Sequence, residues 1–170
     1  MTETAAPTFI QPDPFQEYWK NPDKAFPLFL DEELGLMVIP DAQRIIEHHL
    51  MVVVREELSY DELPEARQVE VDALVKVVYN LLRVKIPSPR KPGILYMGNR
   101  VRTGHVHVYP RKQPTDGGLF YDASRPWATD EERKATQDFL RFSPELAAAT
   151  HAHLLDVRAR CKGLQAVRIS

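Results

Sequence analysis

One long amphipathic segment, at about residues 64–84, separates two groups of shorter apolar runs in this 170-residue chain. Its apolar residues recur at spacings of three, four and seven, which predicts a helix that buries one face. Proline near the first turn is compatible with a helix start, because no backbone hydrogen bond is lost there. The shorter runs, at residues 34–40, 49–54, 94–97 and 105–109, have the composition of strands. Strands, one long helix, strands and then helices are typical of an α+β fold with an antiparallel sheet.

The two ends of the chain differ from this central part. Residues 1–26 contain several prolines among scattered aromatic residues, which excludes long regular structure there. We expect an arm with a short helix near residues 15–20, laid across the body of the protein or across a partner subunit. Near the other end, Thr129 is a suitable N-cap for one helix, and Ser143 for another that reaches about residue 160.

Composition narrows the classes of partner and compartment. The net charge is −2, so no global field selects a nucleic acid, and none is expected as a partner. The single cysteine, Cys161, excludes an internal disulfide and a cysteine-based zinc site, and it fits a reducing compartment. No apolar run approaches the ~20 residues of a membrane span, and the first residues lack the pattern of a signal peptide. We therefore expect a cytoplasmic protein without a membrane partner.

Residues 98–111, with the sequence GNRVRTGHVHVYPR, carry the strongest signal for chemistry. Polar and apolar residues alternate through 105–109, which predicts a half-buried strand with His105 and His107 on one face, about 6.5–7 Å apart. Gly104 before them would let a ligand approach the backbone closely. Three arginines surround the pair in sequence: Arg100, Arg102 and Arg111. A positioned imidazole pair of this kind can supply a nucleophile or a base beside an acid.

Three interpretations of the histidine pair remain open. The pair can be structural, at the edge of a core. It can bind a metal, but a metal site needs three or four ligands, and the cations that follow in sequence would repel an ion. It can catalyse a reaction at phosphorus, in which a neutral imidazole attacks and basic groups hold the charged oxygens. The last interpretation uses every residue of the segment and needs no metal ion or other cofactor, and we expect none.

The same fourteen positions resemble, without gaps, the signature of the histidine triad (HIT) superfamily of nucleotide hydrolases and transferases, and especially its short bacterial members. That signature reads His-φ-His-φ-His-φ-φ, where φ is an apolar residue. In this register His105 stands at the middle histidine, which is the family's nucleophile. His107 stands at the third histidine, and Thr103 replaces the first.

The resemblance extends upstream with less specificity. Residues 49–55 are similar to a second family strand, in which His49 would match a histidine that supports the triad. Asp41 would match the acidic residue that binds the ribose hydroxyls. The resemblance implies a sheet of about five antiparallel strands with the long helix packed on one face, in a chain that pairs into a homodimer. It also implies three parts: an N-terminal arm (1–26), a HIT-like domain (27–127) and a C-terminal helical extension packed on the same domain (128–170).

The resemblance also implies an activity. We expect a nucleotide hydrolase or nucleotidyltransferase, of the phosphoramidase or dinucleoside polyphosphate hydrolase type, that acts at the α-phosphate of a nucleotide conjugate. His105 would form a nucleotidyl-histidine intermediate, and His107 and Thr103 would bind the phosphoryl oxygens or the leaving group. Asn99 and Arg102 would contribute to nucleotide binding. The alternative is a nucleotide-binding regulatory protein with little or no catalysis, which the loss of the first histidine favours.

Overall fold

One antiparallel sheet with helices around it organises the protein. The computed structural model describes residues 12–42, 46–88, 90–97, 101–111 and 127–162. Within these residues the strands are β1 (Phe29–Asp31), β2 (Leu36–Pro40), β3 (Leu50–Val54), β4 (Gly93–Met97) and β5 (His105–Tyr109). The helices are α1 (Pro14–Lys20), α2 (Glu65–Lys85), α3 (Asp130–Leu140) and α4 (Pro144–Cys161). The expected α+β architecture, with about five antiparallel strands and one long helix, is confirmed.

The histidine strand, β5, lies inside the sheet. The strand order is β1-β2-β3-β5-β4, and every neighbouring pair is antiparallel. The helix α2 leads from β3 to β4 at one edge, and the chain then returns as β5 between these two strands. His105 stands opposite Val53 of β3 and Met97 of β4. Because β5 pairs with a strand on each side, it is a rigid support for its side chains.

The two faces of the sheet pack against different layers. On one face, Val52 and Val106 belong to a core that includes residues of α2 and α4. On the other face, Met51 belongs to a smaller core that includes residues of α1. Since every residue of β3 is buried, its continuous apolar run is that of a central strand covered on both faces, as the composition indicates. Period-two alternation along β5 then puts His105 and His107 on the face that α1 covers.

The described part of the N-terminal arm is held on this second face. The Oδ1 atom of Asp13 accepts a hydrogen bond from the backbone N–H of Phe15 at 2.9 Å, and this contact caps α1. Phe15 is buried, and the indole N–H of Trp19 donates to the backbone carbonyl of Val54 at 2.8 Å. The expected short helix is therefore confirmed as α1. The domain boundaries after residues 26 and 127 stay predictions.

Both C-terminal helices begin where the sequence predicts. Thr129 caps α3 and forms a reciprocal capping box with Glu132, and Ser143 caps α4. The backbone N–H of Ala128 donates to the carbonyl of Ala42 at 2.8 Å, which joins the start of α3 to the end of β2. Among the helices of the described ranges, none is both long and apolar enough to cross a membrane.

The strand β1 is absent from the sequence-based prediction. It contains three residues and pairs only with β2, where Leu30 stands opposite Met37. Three residues are too few to show the alternation that identifies a half-buried strand. Tertiary contacts therefore define this strand: the backbone N–H of Phe142, just after α3, donates to the carbonyl of Leu28 beside it.

Candidate active site

Five polar side chains are buried together on the second face of the sheet. They are Asp41, His49, Thr103, His105 and His107. Two of them meet because β2 and β3 are antiparallel: Asp41 follows the end of β2 and His49 precedes the start of β3. The backbone N–H of Asp41 donates to the carbonyl of His49 at 2.9 Å, which closes the connection between the two strands. The other three come from the segment that leads into and forms β5.

Asp41, His49 and His107 form a chain of contacts. The Oδ2 atom of Asp41 lies 3.0 Å from Nδ1 of His49, and Nε2 of His49 lies 2.9 Å from Nδ1 of His107. A carboxylate only accepts hydrogen bonds, so the proton of a neutral His49 belongs on Nδ1, and its Nε2 then accepts from Nδ1 of His107. Asp41 Oδ2 also lies 3.6 Å from Nδ1 of His107. The carboxylate therefore places a negative charge within 3.6 Å of Nδ1 of both imidazoles.

The protonation states of Asp41 and His49 follow from their burial and from the groups beside them. Burial alone would raise the pKa of Asp41, but the adjacent His49 and His107 hold that pKa well below its ordinary value. Burial lowers the pKa of His49 and outweighs the opposite effect of Asp41. At neutral pH, therefore, the Asp41 carboxylate is ionised and the His49 ring is neutral.

A backbone contact decides which ring nitrogen of His105 carries the proton. Its Nδ1 atom lies 2.9 Å from the carbonyl oxygen of Thr103, which only accepts, so Nδ1 carries the proton and Nε2 carries the lone pair. Burial lowers the pKa of His105 to about 4, so the ring is neutral at pH 7. The His107 ring lies edge-on at a centroid distance of 5.1 Å, and the Phe15 ring lies at 4.7 Å. A neutral imidazole with a free lone pair is a nucleophile in a form ready to react.

Thr103 faces the arm rather than open space. Its hydroxyl donates to Oδ2 of Asp13 at 2.7 Å and accepts from the side-chain amide of Gln16 at 2.9 Å. Its backbone N–H donates to the same Asp13 oxygen at 3.0 Å. The hydroxyl proton of Thr103 is thus used in the hydrogen bond to Asp13. In this structure Thr103 therefore does not offer that proton to a phosphoryl oxygen, although such a bond was expected. Sequence reasoning missed Asp13, for which the Asp-Pro helix start was the only signal.

Of the arginine and the asparagine expected to bind the nucleotide, the structure describes only Arg102, which pairs away from the histidines. The side chain of Arg102 is 46% exposed, and its Nε lies 4.0 Å from Oε2 of Glu62. Arg102 precedes β5, which begins at His105, so the alternation of the strand does not determine the direction of its side chain. Asn99 lies outside the described residues, as does Arg100.

Glycine is required at position 104 because another backbone segment of the protein packs against it. A Cβ atom at this position would lie 3.0 Å from the carbonyl oxygen of Leu58 and 3.2 Å from the backbone nitrogen of Tyr60. The backbone N–H of Gly104 donates to that same Leu58 oxygen at 2.6 Å. The expectation that Gly104 makes room for a ligand is therefore replaced: it makes room for the segment that follows β3.

One group within the described ranges has the composition of a metal site. Ligand atoms of Asp41, His49 and His107 all lie within 4.8 Å of one another. Two nitrogens on one tetrahedral zinc ion, at about 2.0–2.1 Å each, would stand roughly 3.3 Å apart. The 2.9 Å between Nε2 of His49 and Nδ1 of His107 instead fits a hydrogen bond. The two imidazoles are thus hydrogen-bonded to each other, with the Asp41 carboxylate beside them.

A cavity of about 380 Å³ opens beside Asp41. One wall is the connection between β2 and β3, and the other is α3, which contributes Arg133 and Thr136. His48 also lines the cavity and has a positive φ of 62°, a conformation uncommon for a residue with a side chain. Its side chain is half-buried, with Nδ1 3.4 Å from the Thr136 hydroxyl.

The fold matches solved structures, although no family model and no curated protein matches the sequence. A zinc-bound histidine triad family protein from Mycobacterium smegmatis superposes with a TM-score of 0.60 and 16% identity, over 85% of this chain and 96% of that one. A hypothetical histidine triad nucleotide-binding protein from Sulfolobus tokodaii gives 0.61 and 17%, over 88% and 93%. A Hit-like protein involved in cell-cycle regulation from Bartonella henselae gives 0.63 and 11%, over 79% and 97%.

These likenesses define the class of fold. The chain has the histidine triad fold, as the signature segment implied. At identities of 11–17%, the likeness concerns the fold and its topology.

Proposed function

We propose that this protein is a nucleotide hydrolase or nucleotidyltransferase that acts at the α-phosphate of a nucleotide conjugate through a nucleotidyl-His105 intermediate. The observation that carries the proposal is the hydrogen bond between Nδ1 of His105 and the carbonyl of Thr103, at 2.9 Å. This bond leaves the lone pair on Nε2, and burial keeps the ring neutral. A neutral imidazole with its lone pair on Nε2 is the form that attacks phosphorus.

The chemistry proceeds in two displacements. Nε2 of His105 attacks the α-phosphorus, the bond between phosphorus and the leaving group breaks, and the leaving group departs with the electron pair. His107 in its protonated form donates its Nε2 proton to that group, with the Asp41 carboxylate as the counter-charge 3.6 Å from Nδ1. Neutral His107 then takes a proton from a water molecule, or from another acceptor of the nucleotidyl group. That molecule attacks phosphorus, and the phosphorus–nitrogen bond to His105 breaks.

Nucleotide binding is assigned to the region around Asp41. The cavity between the β2–β3 connection and α3 reaches this carboxylate, and we assign to it the nucleoside portion of the substrate. His49 takes part by orienting His107 rather than by touching the nucleotide. Arg102 and Asn99 remain proposals as nucleotide contacts, and the Glu62 pairing of Arg102 argues for a role at the rim at most.

The test is the mass of the intact protein after a brief incubation with an adenosine phosphoramidate or a fluorescent ester of AMP. The expected product is an adduct of one adenylyl group, quenched without acid because a phosphorus–nitrogen bond is acid-labile. His105→Ala removes the adduct, whereas His153→Ala, at an exposed histidine of α4, retains it. An adduct that persists in His105→Ala contradicts the proposed nucleophile.

The alternative function is nucleotide binding without catalysis. Two observations favour it: threonine occupies the position of the first histidine of the signature, and His105 is only 8% exposed beneath Phe15. Binding of AMP by the wild-type protein, with no adduct and no product from any activated adenylate, would select this function.

We also propose that the protein is a homodimer. In the described part of the sheet, β4 is an outermost strand, and its side chains Ile94 and Tyr96 are substantially exposed. An edge strand of this kind can pair with a second copy and extend the sheet. Sedimentation equilibrium checks the proposal, since Ile94→Lys is expected to shift the protein towards the monomer.

A further inference from the structure

The carboxylate of Asp13 makes more contacts than a helix cap requires. Its Oδ1 atom accepts from the backbone N–H of Phe15, which is sufficient to cap α1. Its Oδ2 atom accepts two further hydrogen bonds, from the backbone N–H and the hydroxyl of Thr103, at 3.0 and 2.7 Å. Asp13 is only 4% exposed. Serine or asparagine would cap the helix equally well, without the cost of burying a charge.

The second oxygen connects the arm to the candidate nucleophile. Thr103 is 90 residues away from Asp13 in sequence, and its carbonyl oxygen is the acceptor for Nδ1 of His105. Holding Thr103 at its N–H and at its hydroxyl fixes the residue whose carbonyl orients the His105 ring. Gln16, one turn along α1, donates a hydrogen bond to the Thr103 hydroxyl, which is the third hydrogen bond between Thr103 and the arm. These contacts connect the buried carboxylate of Asp13, through Thr103, to the imidazole of His105.

We propose that Asp13 is a positioning residue for His105: acting through Thr103, it holds the His105 ring in the tautomer whose Nε2 atom carries the lone pair. The proposal rests on the proposed function for its catalytic consequence, but the tautomer itself is a property of the protein without substrate. The carboxylate is thus connected, through Thr103, to Nδ1 of His105, which is the ring nitrogen that does not attack.

The negative charge of Asp13 has a second effect at the same place. When Nε2 attacks phosphorus while Nδ1 keeps its proton, the imidazole gains a positive charge. A fixed carboxylate behind the ring stabilises that charge as it develops. Burial, the larger influence, lowers the pKa of His105, while the charge of Asp13 acts in the opposite direction. Removing the charge is therefore expected to slow formation of the adduct more than it weakens binding of the nucleotide.

The chain offers a variant that separates positioning from capping. In Asp13→Asn the side-chain oxygen can still cap α1, because asparagine is as good an N-cap as aspartate. The amide group would then face the N–H of Thr103, donor against donor, and the charge would be lost. Asp13→Ser is the second variant, since it keeps a capping oxygen and lacks the second one. Asp23→Asn, at an exposed aspartate of the same arm, is the matched control.

The decisive experiment is NMR of the ¹⁵N-labelled histidine rings in the full chain without substrate. Long-range ¹H–¹⁵N correlations report which ring nitrogen of His105 carries the proton. In the wild type and in Asp23→Asn we expect Nδ1–H alone, and in Asp13→Asn a mixture with the Nε2–H form. If Asp13→Asn does not fold, the same NMR measurement on Asp13→Ser shows which His105 nitrogen carries the proton once the second carboxylate oxygen is removed. Retention of pure Nδ1–H in a folded variant overturns the proposal.

Rapid-quench measurement of adduct formation gives the catalytic consequence. We expect Asp13→Asn to slow the first turnover by about tenfold or more, with the half-saturating concentration of AMP ester changed by less than about threefold. An unchanged first-turnover rate overturns the catalytic part. If the wild type forms no adduct, the proposed function fails while the tautomer result still decides the role of Asp13.

Discussion

The Nδ1 atom of His107 lies 2.9 Å from Nε2 of His49, and the centroids of the two rings are 4.9 Å apart. The two residues are 58 positions apart in sequence: His49 directly precedes β3, and His107 lies in β5, the strand that neighbours β3. Through His49, the contact places the Asp41 carboxylate behind His107, at the end of the ring away from Nε2. His107 is thereby suited to hold and release a proton at Nε2, while His105 is suited to attack.

The division of roles predicts a dependence on the leaving group. His107→Ala should lower the rate of adduct formation by about 10²–10⁴-fold for an amine or alkoxide leaving group, which needs a proton to depart. A nitrophenolate leaves without one, so an AMP nitrophenyl ester should react with the variant at nearly the wild-type rate. Rapid-quench kinetics with the two substrates check this. Equal losses for both leaving groups would contradict the acid role of His107, and His153→Ala should leave both rates unchanged.

The buried, neutral His105 predicts a loss of stability in acid. Its pKa is about 4 in the folded protein and near 6.5 when unfolded, so between these values the unfolded state binds more protons. The free energy of unfolding should therefore decrease as pH falls from 6.5 to about 4, with His105 contributing about 3 kcal/mol of the decrease. Urea denaturation of wild type and His105→Gln across this range measures the contribution. Parallel curves for the two proteins would show that His105 is not buried as a neutral group.

His151 predicts a change of opposite sign. Its Nδ1 lies 2.6 Å from Oδ2 of Asp31, a hydrogen bond that raises the pKa of His151 above its ordinary value. The stabilisation is complete below pH 6.5 and disappears as pH rises through the raised pKa. His151→Gln should therefore destabilise the protein more at pH 6 than at pH 8.5. Thermal unfolding at both values checks this, with His153→Gln on the same helix as control; equal effects at the two pH values would argue against the ion pair.

The smallest residue of β4 predicts a steric effect. Gly93 stands opposite Tyr109, and a Cβ atom on Gly93 would lie 2.2 Å from the Tyr109 ring. Gly93→Ala should therefore lower the free energy of unfolding by about 1–3 kcal/mol, because the ring or the strand must move. In a Tyr109→Ala background the same substitution should cost much less. A double-mutant cycle by urea denaturation measures this coupling, and additive effects would contradict the contact.

Local patterns predicted the elements that carry the site, because those patterns have a direct physical cause. The alternation at 105–109 and the run at 49–54 follow from burial of a strand, and the caps at Thr129 and Ser143 follow from unsatisfied backbone N–H groups. The histidine triad fold followed from a fourteen-residue resemblance and is confirmed by the superpositions.

The contacts that the sequence did not predict are long-range. Nothing near Asp13 indicates a partner 90 residues away, and nothing near Gly104 indicates that Leu58 and Tyr60 press against it. For the same reason the expected contribution of Arg102 to nucleotide binding did not anticipate its neighbour Glu62, which lies beyond β3. Such pairings depend on how elements pack in three dimensions, which no local periodicity encodes.

The position of β5 between two other strands has a consequence for how such a protein diversifies. An imidazole pair on a strand bonded along both edges cannot be re-aimed without remaking the sheet. The neighbours of these side chains come instead from α1, whose Phe15 lies on His105, and from α3, which forms a wall of the cavity beside Asp41. Changes in α3 would reshape that cavity while the imidazoles stay in place, whereas changes in α1 would reach His105 through Asp13 and Thr103.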